Sequence, residues 1–237
     1  MGQWTTIEIA GKSADIFEPA TPRAEPVAVL HLHGHGLTTL KDNPEYSREL
    51  DRHQFHCVCP HGQRSWWLDR VCSEFDAQKT PQDFLLHDVV PWIESEWNIQ
   101  PPQIALTGIS MGGQGVLHFA FQHAREFPTV VAISPAIDFH NWHGQGLPLD
   151  EMFSTAEDAR QATAILHIHP LNYPRRMFVL CDPTDAAWID SSLRLREKLS
   201  ASGILLEHDL ETSHGGHSWE YFNHMAAAVM QFIEDSV

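Results

Sequence analysis

Basic residues are scarce in this chain: 15 Lys and Arg stand against 31 Asp and Glu, giving a formal charge of −16 over 237 residues with histidine neutral. A surface of that sign repels polyanions, which argues against a nucleic-acid partner and against anionic membranes. Long apolar runs are also missing, and none approaches the ~20 residues that a membrane-spanning helix needs. The opening MGQWTTIEIAGKSADIF lacks a basic stretch followed by an apolar one, so no secretory signal is visible and the expectation is a soluble, cytoplasmic protein. Cysteine is rare too. Cys57, Cys59, Cys72 and Cys181 show no CxxC spacing and are too few for a disulfide framework, so they read as reduced thiols, with Cys57, Cys59 and Cys181 inside strands. Repeats and low-complexity tracts are absent, and the densest proline cluster, Pro19 to Pro26, is only loop-sized. What is present, 43% apolar residues, suffices for one core, so residues 1–237 are read as a single domain.

The patterning alternates strands and helices. TTIEI and SADIF alternate apolar and polar residues about an Ala-Gly-Lys turn, which predicts an antiparallel hairpin at a sheet edge. Val27 to His33 is apolar throughout, as strands buried on both faces are. A helix is predicted over Asn43 to His53, a strand over Phe55 to Cys59, and a helix over Gln82 to Trp97 with Phe84, Leu85, Val89, Trp92 and Ile93 on one side. Ile104 to Gly108 reads as a strand feeding a helix from Met111 to about Glu126. Strands at Val130 to Ser134 and Met177 to Cys181, a helix at Ser191 to Ser202, a strand at Ile204 to Leu210 and a helix at Trp219 to Glu234 complete the series. The fold class is therefore α/β, a mostly parallel twisted sheet with an N-terminal antiparallel hairpin and helices on both faces. Ligands of such sheets sit at the carboxyl ends of the strands. Residues 138–174 interrupt the rhythm with a long polar stretch, a candidate lid or insertion over the site.

Gly108-Ile-Ser110-Met-Gly112 falls where a strand ends and a helix begins. Two glycines permit a turn tight enough to present the serine hydroxyl at the sheet edge. A phosphate-binding turn is disfavoured, since neither GxGxxG nor a Lys-Ser/Thr pair follows. Serine is a weak nucleophile at neutral pH and needs a base held in the correct tautomer by a third group. Later strand ends offer both partners. One is the acidic turn Asp182-Pro-Thr-Asp185; the other is Ser213-His214-Gly-Gly-His217, where His217, directly before the closing helix and after two glycines, fits better than His214.

With Ser, Asp and His in that order, the chain resembles the α/β-hydrolase superfamily. Gly108-Ile-Ser110-Met-Gly-Gly113 and Gly215-Gly-His217-Ser-Trp219-Glu are similar to the esterase D and S-formylglutathione hydrolase branch. The resemblance implies an α/β-hydrolase fold, with Ser110 as nucleophile and His217 as base. Its register favours Asp185 as the acid. Asp182, which occupies the family's usual glycine position, and Asp138, just after the preceding strand, are the alternatives. Stabilisation of the oxyanion falls to the amide of Met111, which follows the nucleophile, and to an amide of the His33-Gly-His35-Gly36 loop, from His35 or Gly36.

Histidines 31, 33 and 35, with His167 and His169, raise the question of a metal, but no HExxH motif or Cys pair supports one, and neither metal nor cofactor is expected. Trp66 and Trp67 leave a strand end at the same rim and are candidate walls of a substrate pocket, as is Trp219 beside His217. The expected function is a serine carboxylesterase acting on small-molecule esters through an acyl-enzyme on Ser110. Thioesterase or S-formylglutathione hydrolase-like activity is the alternative within the class. A catalytically silent binding scaffold is the alternative outside it. Because the base must be neutral to act, activity is expected to fall below roughly pH 6 to 7.

Overall fold

A computed structural model describes residues 2–237. The opening hairpin pairs β1 (Gln3–Ile9) with β2 (Lys12–Glu18), turning at Ala10 and Gly11 with φ of 48° and 78°. Six further strands follow: β3 (Ala28–Leu32), β4 (His56–Pro60), β5 (Ile104–Ile109), β6 (Thr129–Ile133), β7 (Arg176–Leu180) and β8 (Glu207–Asp209). Their order is β1-β2-β4-β3-β5-β6-β7-β8, with β2 antiparallel to β4 and every neighbouring pair from β4 to β8 parallel.

Alternation along the strands sorts the core into two layers. Ala28, Leu30, Leu32, Leu106, Val130 and Ala132 face one cluster, while Val29, Ala105, Val131 and Ile133 face the other. The first layer holds α2 (Pro81–Phe84), α3 (Val90–Trp97), α4 (Met111–Gln122) and α7 (Ile189–Ala201). The second holds α1 (Pro44–His53) and α9 (Ala226–Glu234), with α8 (Trp219–His224) leading into the latter. Asn43 begins α1 by accepting the Glu45 and Tyr46 amides, both at 3.1 Å, ahead of Pro44.

Several boundaries differ from those expected. The helix predicted over Gln82 to Trp97 contains a π turn at Leu85–Val89, closed by the Val90 amide on the Leu85 carbonyl. Pro91 follows at once and lacks the N–H that a regular helix would require there. The helix after Ser110 ends at Gln122, not Glu126, and the closing helix is divided at Met225. β8 begins at Glu207 rather than Ile204: Ile204 is drawn into the core, Leu205 is exposed, and an edge strand has only β7 to pair with. Cys181 lies one residue beyond β7, whereas Cys57 and Cys59 lie within β4. All four thiols are free and buried.

The chain reverses direction across the sheet at β3, since β4 lies on one side of it and β5 on the other. The crevice at the carboxyl ends of β3 and β5 is thus the topological switch point. Residues 138–174 form α5 (Leu149–Met152), α6 (Ala156–Gln161) and two short 3-10 turns beside it. Phe139, Leu149, Phe153 and Ala164 of that stretch are buried in the first core layer. Among the described residues no helix is long and apolar enough to cross a membrane.

Candidate active site

Ser110 occupies a strained turn between β5 and α4, with φ 57° and ψ −114°. Its amide donates to the Ile133 carbonyl at 2.8 Å, and its carbonyl accepts the Gln114 and Ala136 amides at 3.1 and 2.9 Å. Such pinning holds a non-glycine residue at positive φ. The flanking glycines are required by space: a Cβ on Gly108 would overlap the Gly112 carbonyl, and one on Gly112 would overlap the Leu32 carbonyl. The helix therefore starts against β3 with no gap, and Ser110 stands at the switch point, 9% exposed.

The two partners come from distant segments. Ser110 Oγ lies 3.0 Å from His217 Nε2, and His217 Nδ1 lies 2.6 Å from Asp185 Oδ2. A carboxylate only accepts, so Nδ1 carries the proton and Nε2 offers its lone pair to the serine hydroxyl. Asp185 is buried, and its other oxygen accepts the Ala187 amide at 3.2 Å. The Cys181 thiol also faces it, 3.7 Å from Oδ2. Phe222 meets the His217 ring edge-on at 5.4 Å, while the imidazole stays 32% exposed.

The rival residues stand elsewhere. Asp138 pairs with Arg194. His214 stacks on His224 with ring centres 4.2 Å apart and has Glu220 at 3.8 Å. Asp182 receives five donors: the Thr184 amide and hydroxyl, the Ser213 hydroxyl, and the His214 and Gly216 amides. Burial alone would raise its carboxyl, but those donors outweigh burial and hold it below the usual carboxylate range. Asp182 thus caps its own turn through Thr184 and also reaches the loop before His217.

On the β3 side, Gly34 to Leu37 is a turn closed by the Leu37 amide on the Gly34 carbonyl at 3.0 Å. Its central amides, His35 and Gly36, donate to no acceptor among the described residues. The Met111 amide opens α4 and has no intrahelical acceptor either. Beneath this loop His33 is buried between the Gly34 carbonyl on Nδ1, at 2.8 Å, and the Gly62 amide on Nε2, at 3.0 Å. The Gly62 N–H can only donate, so Nε2 accepts and the ring is neutral, its pKa lowered to about 4 chiefly by burial. His31 is enclosed against the Thr107 hydroxyl, and among the described residues no group of His, Cys, Asp and Glu is arranged to hold a metal.

The tryptophans correct one expectation. Trp66 and Trp67 have no exposed surface, so neither is the open pocket wall expected from the sequence. Both hold positive φ, 58° and 55°, and their carbonyls are fastened by Gln114 at 2.7 Å and Gln82 at 2.9 Å. Trp67 fills the space beside Gly62 and Gly115, and its indole donates to the His33 carbonyl at 3.1 Å, making it a prop under the loop. Trp219 is half-buried against Phe222. Trp142, from the 138–174 stretch, is half-buried and packs on His35 and on the buried Trp188, just after Asp185. No periodicity marks Trp142, because it sits in a short turn.

No curated protein matches the sequence. Among solved structures, a ferulic acid esterase overlays with a TM-score of 0.78 at 15% identity, covering 99% of this chain and 100% of that one. The S-formylglutathione hydrolase of Staphylococcus aureus gives 0.79 at 14% identity, over 98% and 99% of the two chains. That of Agrobacterium tumefaciens gives 0.79 at 15%, over 99% and 94%. At these identities the likeness is one of fold. The family model described as "Putative esterase" matches residues 19–232, nearly the whole sequence, and the chain belongs to that esterase family of α/β-hydrolases.

Proposed function

We propose that Ser110, His217 and Asp185 carry out the hydrolysis of carboxylic esters that membership of the esterase family implies, through an acyl-enzyme on Ser110. The observation that carries this reading is the unbroken line from Ser110 Oγ to His217 at 3.0 Å and on to Asp185 at 2.6 Å. In the first half-reaction Ser110 Oγ attacks the ester carbonyl while its proton passes to His217 Nε2. Asp185 keeps the proton on Nδ1 and stabilises the imidazolium that forms. Negative charge gathers on the former carbonyl oxygen, where the Met111 amide and the amide of His35 or Gly36 are the candidate donors. Collapse expels the alcohol, which takes the proton from Nε2. Water then attacks the acyl-enzyme through the same base, so no cofactor enters the cycle.

Segment 138–174 would form a cover over the crevice. Thioester hydrolysis is the second reading, supported by the overlay with two S-formylglutathione hydrolases over nearly their full lengths. Four free, buried thiols support a cytoplasmic location. Hydrolysis of activated esters by the wild type and by Ser110→Ala is the test, alongside labelling by a fluorophosphonate. Loss of turnover by several orders of magnitude, with loss of labelling, is expected. Turnover surviving in Ser110→Ala, or a wild type that binds esters without cleaving them, would overturn the reading.

A further inference from the structure

Two polar atoms beside the switch point have no hydrogen-bond partner among the described residues although both are buried: Nε2 of His35 and Nε1 of Trp66. Buried polar atoms are ordinarily satisfied, and an orphan pair next to a reactive serine calls for a physical reason. The rings stand 5.9 Å apart, and one side chain meets both of them. Trp142 packs edge-on to His35 at 5.5 Å and perpendicular to Trp66 at 5.7 Å, then continues to Trp188 at 5.6 Å.

The topology says where that indole lies. His35 follows β3, Trp142 follows β6 and Trp188 follows β7, while Ser110 follows β5, which lies between β3 and β6. With strands ~4.8 Å apart, a ring touching residues beyond β3 and β7 crosses the ends of β5 and β6. Trp142 is half-buried and belongs to a short turn, whereas Trp66 is locked by its carbonyl to Gln114 and its ring to Phe139. Trp142 is thus the more exposed of the two rings, and Trp66 the fully buried one.

We propose that Trp142 covers an acyl subsite in which the Trp66 indole N–H and the His35 imidazole hydrogen-bond an oxygen carried by the acyl group, so that the preferred substrates are esters of oxygen-bearing acids. This rests on the Ser110 reading. In this arrangement the His35 ring lies on the acyl side of the scissile bond. Trp Nε1 can only donate, so the group recognised is an acceptor: an ether, hydroxyl or carbonyl oxygen. An alkyl chain entering there would leave both nitrogens unpaired, and sites built around a polar partner reject analogues lacking it.

The test uses isosteric nitrophenyl esters, butyrate against methoxyacetate and valerate against 3-methoxypropionate, in which an oxygen replaces one methylene. Hydroxide-catalysed hydrolysis of each pair supplies the ratio due to intrinsic reactivity. In at least one pair the wild-type kcat/KM ratio is expected to exceed the hydroxide ratio by about tenfold or more. Trp66→Phe, which removes the N–H, should return it towards the hydroxide value, and Trp142→Ala should admit longer acyl groups. Wild-type ratios equal to those of hydroxide in both pairs, or a ratio unchanged in Trp66→Phe, would overturn the proposal. Should Trp66→Phe fail to fold, the wild-type comparison decides. Ser110→Ala run in parallel separates the two readings: Ser110-dependent turnover with invariant ratios removes the subsite alone.

Discussion

The Asp182 carboxylate accepts the Gly216 backbone amide at 2.9 Å, joining the turn that carries Asp185 to the turn that carries His217. The same oxygen accepts the His214 amide at 2.5 Å, and the other accepts the Ser213 hydroxyl at 3.2 Å. Two loops separated by more than thirty residues are thereby fastened through one buried charge. Asp182→Asn keeps the shape but replaces one accepting oxygen by a donor, which would face an amide N–H. The expected result is a fall in kcat of about ten- to a hundredfold with KM little changed, because the His217 position is disturbed more than the cleft. Stability should drop by about 1–3 kcal/mol. Steady-state kinetics and denaturant unfolding of the variant check both, and an unchanged kcat would refute the positioning role.

Glycine matters unequally around the crevice. Gly112→Ala would force a methyl group onto the Leu32 carbonyl, and Gly108→Ala would do so on the Gly112 carbonyl. Backbone cannot yield as a side-chain tip does, so each should cost about 4 kcal/mol or more. A Cβ at Gly36 meets nothing within 4 Å, and Gly36→Ala should stay within about 0.5 kcal/mol of the wild type. Thermal unfolding of the three variants is the measurement.

Acid should weaken the fold before it titrates most carboxylates. Burial lowers His31 to about 3, and burial together with a neighbouring histidine lowers His33 and His118 to about 4. In the unfolded chain these imidazoles titrate near ~6.5. Between the two values the unfolded state takes up protons that the native state does not, so stability falls as pH falls through this window. At pH 5 the loss is about 2 kcal/mol for each histidine relative to pH 8. Urea unfolding across pH 5 to 8 reads the slope, and a flat profile would contradict it.

Trp67→Phe removes the indole N–H that meets the His33 carbonyl and leaves a gap beside Gly62 and Gly115. The variant should lose about 1–3 kcal/mol and also turnover, since the prop holds the loop bearing the His35 and Gly36 amides. Stability falling without any change in kcat would show that the loop does not depend on it.

Much of the fold was legible because central parallel strands are apolar on both faces, and β3, β5 and β6 carry that pattern into the observed two-layer core. The edges were less legible. β8 has one neighbour, so apolar Ile204 to Leu206 did not translate into strand, and the π turn before Pro91 is a local answer to a missing donor. At the site, the Ser110 turn is written in two glycines whose spacing has a steric cause. Asp185 was favoured over Asp182 on resemblance, and nothing in an Asp-Pro-Thr-Asp turn says which carboxylate faces the imidazole. Trp66 and Trp67 were misjudged because a ring in a rim loop reads the same whether it turns outward or beneath.

The amino-acid order alone therefore determined the layering and the bend at Ser110, which follow from local sterics and from patterns of period two and 3.6. Only the tertiary structure decided which of two nearby carboxylates meets His217, which tryptophans are fully buried, and that Asp182 binds a distant loop. Those outcomes depend on how side chains from separate crossovers meet at one end of the sheet, and no local pattern encodes that meeting.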